Sequence, residues 1–106
     1  MAKYLVTGSY TAEGAKGLAK DGGSKRVQAV TSMMKAAGVT IESFYFAFGD
    51  HDVVLIVDAP DHATVTAIAL AINSSGAVRL STTVLLTPAD VDAAVKKTVN
   101  YTPPGK

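Results

Sequence analysis

The stretch FYFAFGDHDVVLIVDAP, residues 44–60, decides the fold. An aromatic run is followed by the short polar segment Gly-Asp-His-Asp and then by a run rich in valine. Aromatic and β-branched residues favour strands, and Gly and Asp between two such runs are typical of a hairpin turn. We therefore predict antiparallel strands at residues 39–48 and 52–58, joined by a turn in which Gly49 adopts a positive φ.

The flanking segments place this hairpin within a longer alternation of strands and helices. Apolar residues recur at helical spacing on both sides of it, and each helical pattern stops at a glycine. The segment Thr-Pro-Ala-Asp at 87–90 starts a further helix, since it supplies an N-cap, a first-position proline and an acidic first turn. The predicted strands are 3–10, 39–48, 52–58 and 77–86; a helical or irregular segment covers 14–20, and helices lie between Ser24 and Gly38, between Pro60 and Gly76, and from Thr87 onward.

The order βαββαβ plus a terminal helix predicts an α+β protein of the ferredoxin-like class, with an antiparallel four-stranded sheet. A chain of 106 residues is long enough for one compact domain and too short for two. We therefore expect a single domain over residues 1–106, in which residues 100–106 form an extended tail.

Composition excludes several classes of function. The chain has no cysteine, which excludes disulfides, iron–sulfur clusters, Cys-type zinc sites and thiol catalysis. The net charge is +1 and no basic stripe interleaves with aromatic residues, so we expect neither nucleic acid nor an anionic membrane as a partner. The first residues lack the charged and apolar regions of a signal segment, and the longest uncharged run, 63–78, is too short to span a bilayer. We expect a cytoplasmic protein without a cofactor.

Both faces of the predicted sheet carry apolar residues. The strand 52–58 is apolar on both sides from Val53 to Val57. Along the strand 39–48, one side carries Phe44, Phe46 and Phe48, and the other carries Ile41, Tyr45 and Ala47. A sheet that helices cover on one face only should alternate cleanly between apolar and polar residues.

We therefore expect the second face to be covered as well. A second copy of the chain is the simplest cover, and it would produce a dimeric α+β barrel, a homodimer or higher homo-oligomer. The alternative is a monomer whose terminal helix folds over the open face. The inner face of that helix would consist of Val91, Ala94, Val95 and Thr98.

Three segments resemble the GYD-domain family, small bacterial proteins of the dimeric α+β barrel superfamily. They are YTAEG at 10–14, the hairpin stretch extended to Asp61, and SGAVRLST at 75–82. In the family pattern Gly-x-Tyr-Asp, Gly49 and Asp52 match, while His51 stands where Tyr is usual. The resemblance implies this architecture and homo-oligomerisation, but no assigned reaction. The superfamily includes cofactor-independent monooxygenases, haem-degrading enzymes, small isomerases and ligand-binding domains, and a shared fold does not choose among them.

The first candidate site is the turn around His51. Histidine titrates near neutral pH, and Asp50 or Asp52 could orient the ring for proton transfer. The alternative is a purely structural turn. A metal could also draw on His62, but the strand 52–58 separates the two histidines, so we predict no metal site.

The second candidate is the glycine-rich segment before the first long helix. Helix N-termini favour anions, and cations in the first turn oppose the helix dipole unless an anion is present. The alternatives are a solvated loop, or cations that pair across a subunit interface with Asp50, Asp52 or Asp58. The residues of this candidate anion site are Gly22, Gly23, Lys25 and Arg26.

The third candidate is the open face of the sheet. The strand 77–86 turns a guanidinium and two hydroxyl groups toward that face, and an arginine there could bind a carboxylate. Alternatively, the arginine forms a salt bridge between subunits. The candidate ligand-binding residues are Arg79, Ser81, Thr83 and Tyr45, with Thr7 or Ser9 beside them.

The sequence favours a homo-oligomeric small-molecule-binding or scaffold protein whose interface is the sheet face. Its expected partners are a second copy of the chain and a small organic ligand. The alternative is a cofactor-independent small enzyme, monooxygenase- or isomerase-like, that acts on a small organic acid or aromatic compound. In that enzyme His51 would be the catalytic base and Arg79 the anion anchor.

Overall fold

The computed structural model describes all residues, 1–106, and contains four strands and four helices. Their order confirms the predicted βαββαβ pattern with a terminal helix, and two helices rather than one connect the first two strands. The elements are β1 Ala2–Tyr10, α1 Ala12–Asp21, α2 Gly23–Ala36, β2 Thr40–Phe46, β3 Val53–Ala59, α3 His62–Ser74, β4 Val78–Leu85 and α4 Pro88–Val95.

The four strands form one antiparallel sheet in the order β2-β3-β1-β4. β1 and β3 lie in the centre, whereas β2 and β4 form the two edges. Each edge strand is reached from a central strand through helices that pack on one face of the sheet. The chain is therefore a ferredoxin-like α+β protein, as predicted. No helix in it combines the length and the apolar character needed to cross a membrane.

Local capping signals explain where the helices begin and end. Thr11 caps α1, and Asp61 caps α3 by accepting a hydrogen bond from a backbone N–H of the first turn. At α4, Thr87 and Asp90 form the full capping box, with bonds of 3.1 and 2.9 Å. Gly38 follows α2 with φ of 81°, a conformation that favours glycine.

The core lies between one face of the sheet and the helices α2 and α3. Every second residue of β3 is buried there, and Val57 is only 1% exposed. This period of two is expected of a strand with one covered face. The core cluster consists of Tyr4, Val6, Val30, Met34, Val39, Val53, Leu55, Val57, Ala59, Val65 and Ile68.

A β-bulge in β2 corrects one part of the predicted face assignment. The register of β2 against β3 shifts between Ile41 and Ser43. Because a bulge adds one residue to one strand, the alternation is offset across it. Ile41 therefore packs against the core together with Phe44 and Phe46, and its predicted position on the opposite face is wrong.

The hairpin turn differs from its prediction in one backbone angle. The residue with positive φ is Phe48, at 56°, rather than Gly49. A bulky residue rarely adopts this conformation, which costs about 1–3 kcal/mol. The ring of Phe48 stacks parallel on that of Phe46, with their centroids 6.2 Å apart, and this contact offsets part of the strain.

The C-terminal segment, residues 86–106, extends away from the domain. Every one of its residues is exposed, including Val91 and Val95 on the predicted inner face of α4. The radius of gyration is 17.1 Å, against about 13 Å for a compact chain of this length. The alternative of a terminal helix folded over its own sheet is therefore wrong for this chain.

Candidate functional site

The open face is the side of the sheet that α2 and α3 leave uncovered. Its centre is apolar, because Leu5, Val54 and Ile56 point to this side from the two central strands, and Leu85 does so from β4. All four are half-buried within the single chain. This face thus carries a continuous apolar band that no element of its own chain covers.

The predicted ligand-binding residues lie on this face, but they are divided between its two edges. In one row across the sheet, Tyr45 lies opposite Val54, and Thr7 lies opposite Ser81. Val54 and Thr7 are themselves paired, so the row crosses all four strands. Neighbouring strands are about 4.8 Å apart, which puts Tyr45 about 14 Å from Ser81.

On the β4 edge the structure groups the remaining candidates together. Arg79 lies opposite Ser9, and Thr83 lies opposite Leu5, with Ser81 between them along the strand. These β4 side chains are exposed. The ion pairs of the chain are formed by Lys3 and Lys25 with aspartate and glutamate side chains, so Arg79 takes part in none of them.

An ion-pair cluster at the other end of the open face was not predicted. Lys3 Nζ lies 2.9 Å from a Glu42 oxygen and 3.0 Å from Asp58 Oδ1. Hydrogen bonds to Glu42 and then to Asp58 raise the pKa of Lys3 above its ordinary value. One cation faces two carboxylates here, so this cluster carries net charge −1. Arg79 lies at the opposite end of the face, where the hairpin turn also brings Asp52. Only the strand register, which the sequence does not give, brings Lys3 and Asp58 together.

In the turn that forms the first candidate site, Asp52 has a structural role and His51 is exposed. Asp52 Oδ2 accepts a hydrogen bond of 2.8 Å from the backbone N–H of Tyr10, and the Asp52 N–H donates to the Gly8 carbonyl at 2.8 Å. These two bonds tie the hairpin to the end of β1. His51 is exposed and is held by neither Asp50 nor Asp52. Its catalytic role stays a prediction.

The glycine-rich segment is the junction between α1 and α2. Gly22 has φ of 82° and separates the two helices. Lys25 lies 3.6 Å from Asp21 within the same segment. Arg26 is half-buried, and Gly23 starts α2 against the ring of Phe46. An anion at this junction stays a prediction.

The acidic residues suggested as partners of these cations are in part engaged elsewhere. Asp58 binds Lys3, and Asp52 binds the backbone of Tyr10. Asp50 is exposed in the turn. The structure contains no group of three or more His, Asp or Glu side chains that could hold a metal ion.

The sequence reasoning missed a hydrogen bond between Tyr4 and His62. His62 is the exposed first residue of α3, and its Nδ1 lies 2.6 Å from the hydroxyl oxygen of Tyr4. Tyr4 is only 2% exposed. The two residues are 58 positions apart, so no local sequence signal could have revealed the contact.

The pair lies in an open groove of about 300 Å³ between α3 and β4. By contrast, the spaces enclosed between the helices and the sheet are about 10 and 30 Å³. A site for a drug-sized ligand is usually about 300 Å³ or larger. Any small organic ligand is therefore bound in a surface groove or between copies of the chain, and not in the core.

The fold and the hairpin define the class of protein as a ferredoxin-like α+β domain with an uncovered sheet face. The family model of the GYD domain matches residues 4–95, and the chain therefore belongs to the GYD domain family. Neither the curated proteins nor the solved structures compared with the chain gave a match.

Proposed function

We propose that this protein is a homo-oligomeric small-molecule-binding or scaffold protein whose subunits join through the open face. The observation that carries the proposal is the apolar band of Leu5, Val54, Ile56 and Leu85. Burial of apolar surface is favourable by about 25 cal/mol per Å². Two copies that pack face to face remove both bands from water at once.

The position of the apolar band suits a second copy as the partner. An isologous interface has to be complementary to itself. A two-fold axis in the plane of the interface and perpendicular to the strands reverses the strand direction. This axis keeps β4 over β4, so the Arg79 end of one copy lies over the Leu85 end of the other, and the apolar band of one copy meets that of its partner.

The C-terminal segment supports the same assignment. A helix of eight residues is unstable by itself in water, and α4 has no core within its own chain. Leu86 and the extended Thr87 connect β4 to α4, and the segment leaves the domain there. Its exposed residues Val91 and Val95 are therefore free to pack on a second copy.

The small-molecule part of the proposal rests on the group at the β4 edge. The guanidinium of Arg79 and the hydroxyl groups of Ser81 and Thr83 suit a small carboxylate. Tyr45 lies about 14 Å away, on the other edge of its own sheet, and is outside this group.

A cofactor-independent enzyme, monooxygenase- or isomerase-like, is the second reading of the sequence. It needs His51 as the base, and that ring is exposed without a carboxylate partner. A positioned general base usually has a group that orients it. We therefore place the binding or scaffold role first.

A charge in the apolar band tests the proposed interface. Val54→Glu places a carboxylate on the band and is expected to weaken association at least about tenfold. Val54→Leu keeps the band apolar and is expected to associate as the wild type does, as measured by sedimentation equilibrium. Lys16→Glu on the exposed side of α1 is the matched control. Equal association of Val54→Glu and the control contradicts the proposed interface, and a monomeric wild-type chain contradicts the function itself.

A further inference from the structure

A buried tyrosine and an exposed histidine form an isolated hydrogen-bonded pair on the side of the sheet opposite the open face. The two rings are edge-on, with centroids 5.7 Å apart and an interplanar angle of 86°. The hydroxyl of Tyr4 and Nδ1 of His62 are 2.6 Å apart. Because Tyr4 is buried in the core, the contact fixes the position of the histidine ring at the surface.

Tyr4 occupies Nδ1 of His62, so Nε2 is the nitrogen that stays free. When the Tyr4 hydroxyl donates to Nδ1, the neutral ring carries its proton on Nε2, and a protonated ring carries one on each nitrogen. In both states Nε2 presents an N–H donor that is not used by Tyr4. A second residue that fixes the tautomer of a histidine in this way is a common device of binding sites.

The surrounding groove combines apolar walls with a second polar group. Val65, Ala69 and Val84 supply the walls, and Val84 is 49% exposed. Thr82 is exposed and adds a hydroxyl to the groove. The groove volume of about 300 Å³ lies at the lower end of the range for ligand sites.

The other groups near His62 are already engaged. The hydroxyl of Thr66 donates to the His62 carbonyl at 2.8 Å. Asp61 turns Oδ1 toward the Thr64 N–H at 2.7 Å, and this bond lowers the pKa of its carboxyl. The Asp61 carboxylate therefore serves the start of α3 and does not fill the groove.

We infer that this groove binds a small monocarboxylic acid with a short aliphatic or aromatic body. The carboxylate accepts hydrogen bonds from Nε2–H of His62 and from the hydroxyl of Thr82, and its apolar body packs against Val65 and Val84. The inference goes beyond the proposed function, because it assigns a separate carboxylate site on the other side of the sheet. The groove lies away from the open face, so the two can fail separately.

Nuclear magnetic resonance of the full chain tests this site, because the protein has only two histidines. Sodium benzoate and sodium hexanoate are titrated while the ring signals of His62 and His51 are followed. We expect saturable shifts of His62, with His51 unmoved as the internal control. Methyl benzoate, which keeps the ring and lacks the carboxylate, is expected to cause no saturable shift.

Three variants assign the binding to the pair. His62→Gln is expected to weaken benzoate binding about tenfold, because a hydrogen bond to a charged group is lost. Tyr4→Phe keeps the packing, frees the imidazole to rotate, and is expected to weaken binding about fivefold. Lys16→Gln, on the exposed side of α1, is expected to bind as the wild type does. His62→Gln changes an exposed side chain and keeps the test valid if Tyr4→Phe does not fold.

The site is overturned if neither acid shifts His62 at millimolar concentration, if His51 shifts equally, or if His62→Gln binds benzoate like the wild type. The native mass of the same samples separates the two proposals. A monomer that binds benzoate at His62 supports the groove and contradicts the interface. An oligomer that does not bind benzoate at His62 supports the interface and contradicts the groove.

Discussion

Both faces of the sheet are apolar at their centres, but helices cover only one of them. On β3, Val57 points under the helices and is 1% exposed, while its neighbour Ile56 points to the open face and stays half-buried. The helices α2 and α3 cover the first face, and nothing in the same chain covers the second. The difference shows that this sequence carries more apolar surface than one chain buries.

A charge at Val57 is expected to have the largest effect. Val57→Asp places an unpaired carboxylate in the core, at a cost of about 4 kcal/mol or more, which is most of the stability of a small domain. We expect loss of the folded state by circular dichroism. A Val57→Asp chain with an unchanged urea midpoint would show that the covered face is assigned wrongly.

An aspartate at position 56, one residue before Val57, is expected to affect assembly rather than folding. Ile56→Asp lies on the open face, so it should cost the single chain only about 1 kcal/mol. The charge would then lie inside the proposed interface, and the native mass should fall to that of one chain. Gln28→Asp on the exposed side of α2 is the matched control. If Ile56→Asp keeps the wild-type mass, the open face is not the interface.

A smaller effect is expected at the hairpin turn. Asp52→Ala removes the 2.8 Å bond to the Tyr10 N–H and should lower the free energy of unfolding by about 1.5 kcal/mol. Asp50→Ala, two positions earlier and exposed, should change it little. Chemical denaturation of both variants measures the difference. Equal stabilities would mean that the carboxylate of Asp52 does not tie the hairpin to β1.

The smallest effect concerns pH and the ion pairs of the open face. Bonds to Glu42 and Asp58 raise the pKa of Lys3 above the ordinary 10.5. A raised pKa means that this stabilisation is fully present below 10.5 and is lost as the pH rises through the folded value. We expect Lys3→Met to lose less stability than the wild type does as the pH rises above 10.5, measured in thermal melts. Identical alkaline profiles would indicate that the ion pairs contribute nothing in solution.

What the sequence predicted well depends on local signals. The β2–β3 hairpin and the N-cap of α4 at Thr87 were predicted because the residues that form them are neighbours in the chain. The sequence could not show the bulge that moves Ile41 to the core, because alternation alone does not reveal an added residue. The pairing of Tyr4 with His62 likewise depends on the tertiary structure.

The terminal helix α4 was also predicted only in part. Its start at Thr87 was predicted correctly, since capping is local. Its packing was not, because Val91 and Val95 face solvent in the single chain. A local pattern indicates that a helix has an apolar side, but it does not tell which surface that side meets.

The native mass of the full chain, measured by light scattering over a range of concentrations, tests the central claim most directly. One chain has a mass of 10.9 kDa. The open-face interface predicts at least twice that value, decreasing only on strong dilution. A mass of one chain at every concentration would contradict the account, since the apolar band of the sheet would then remain exposed to water.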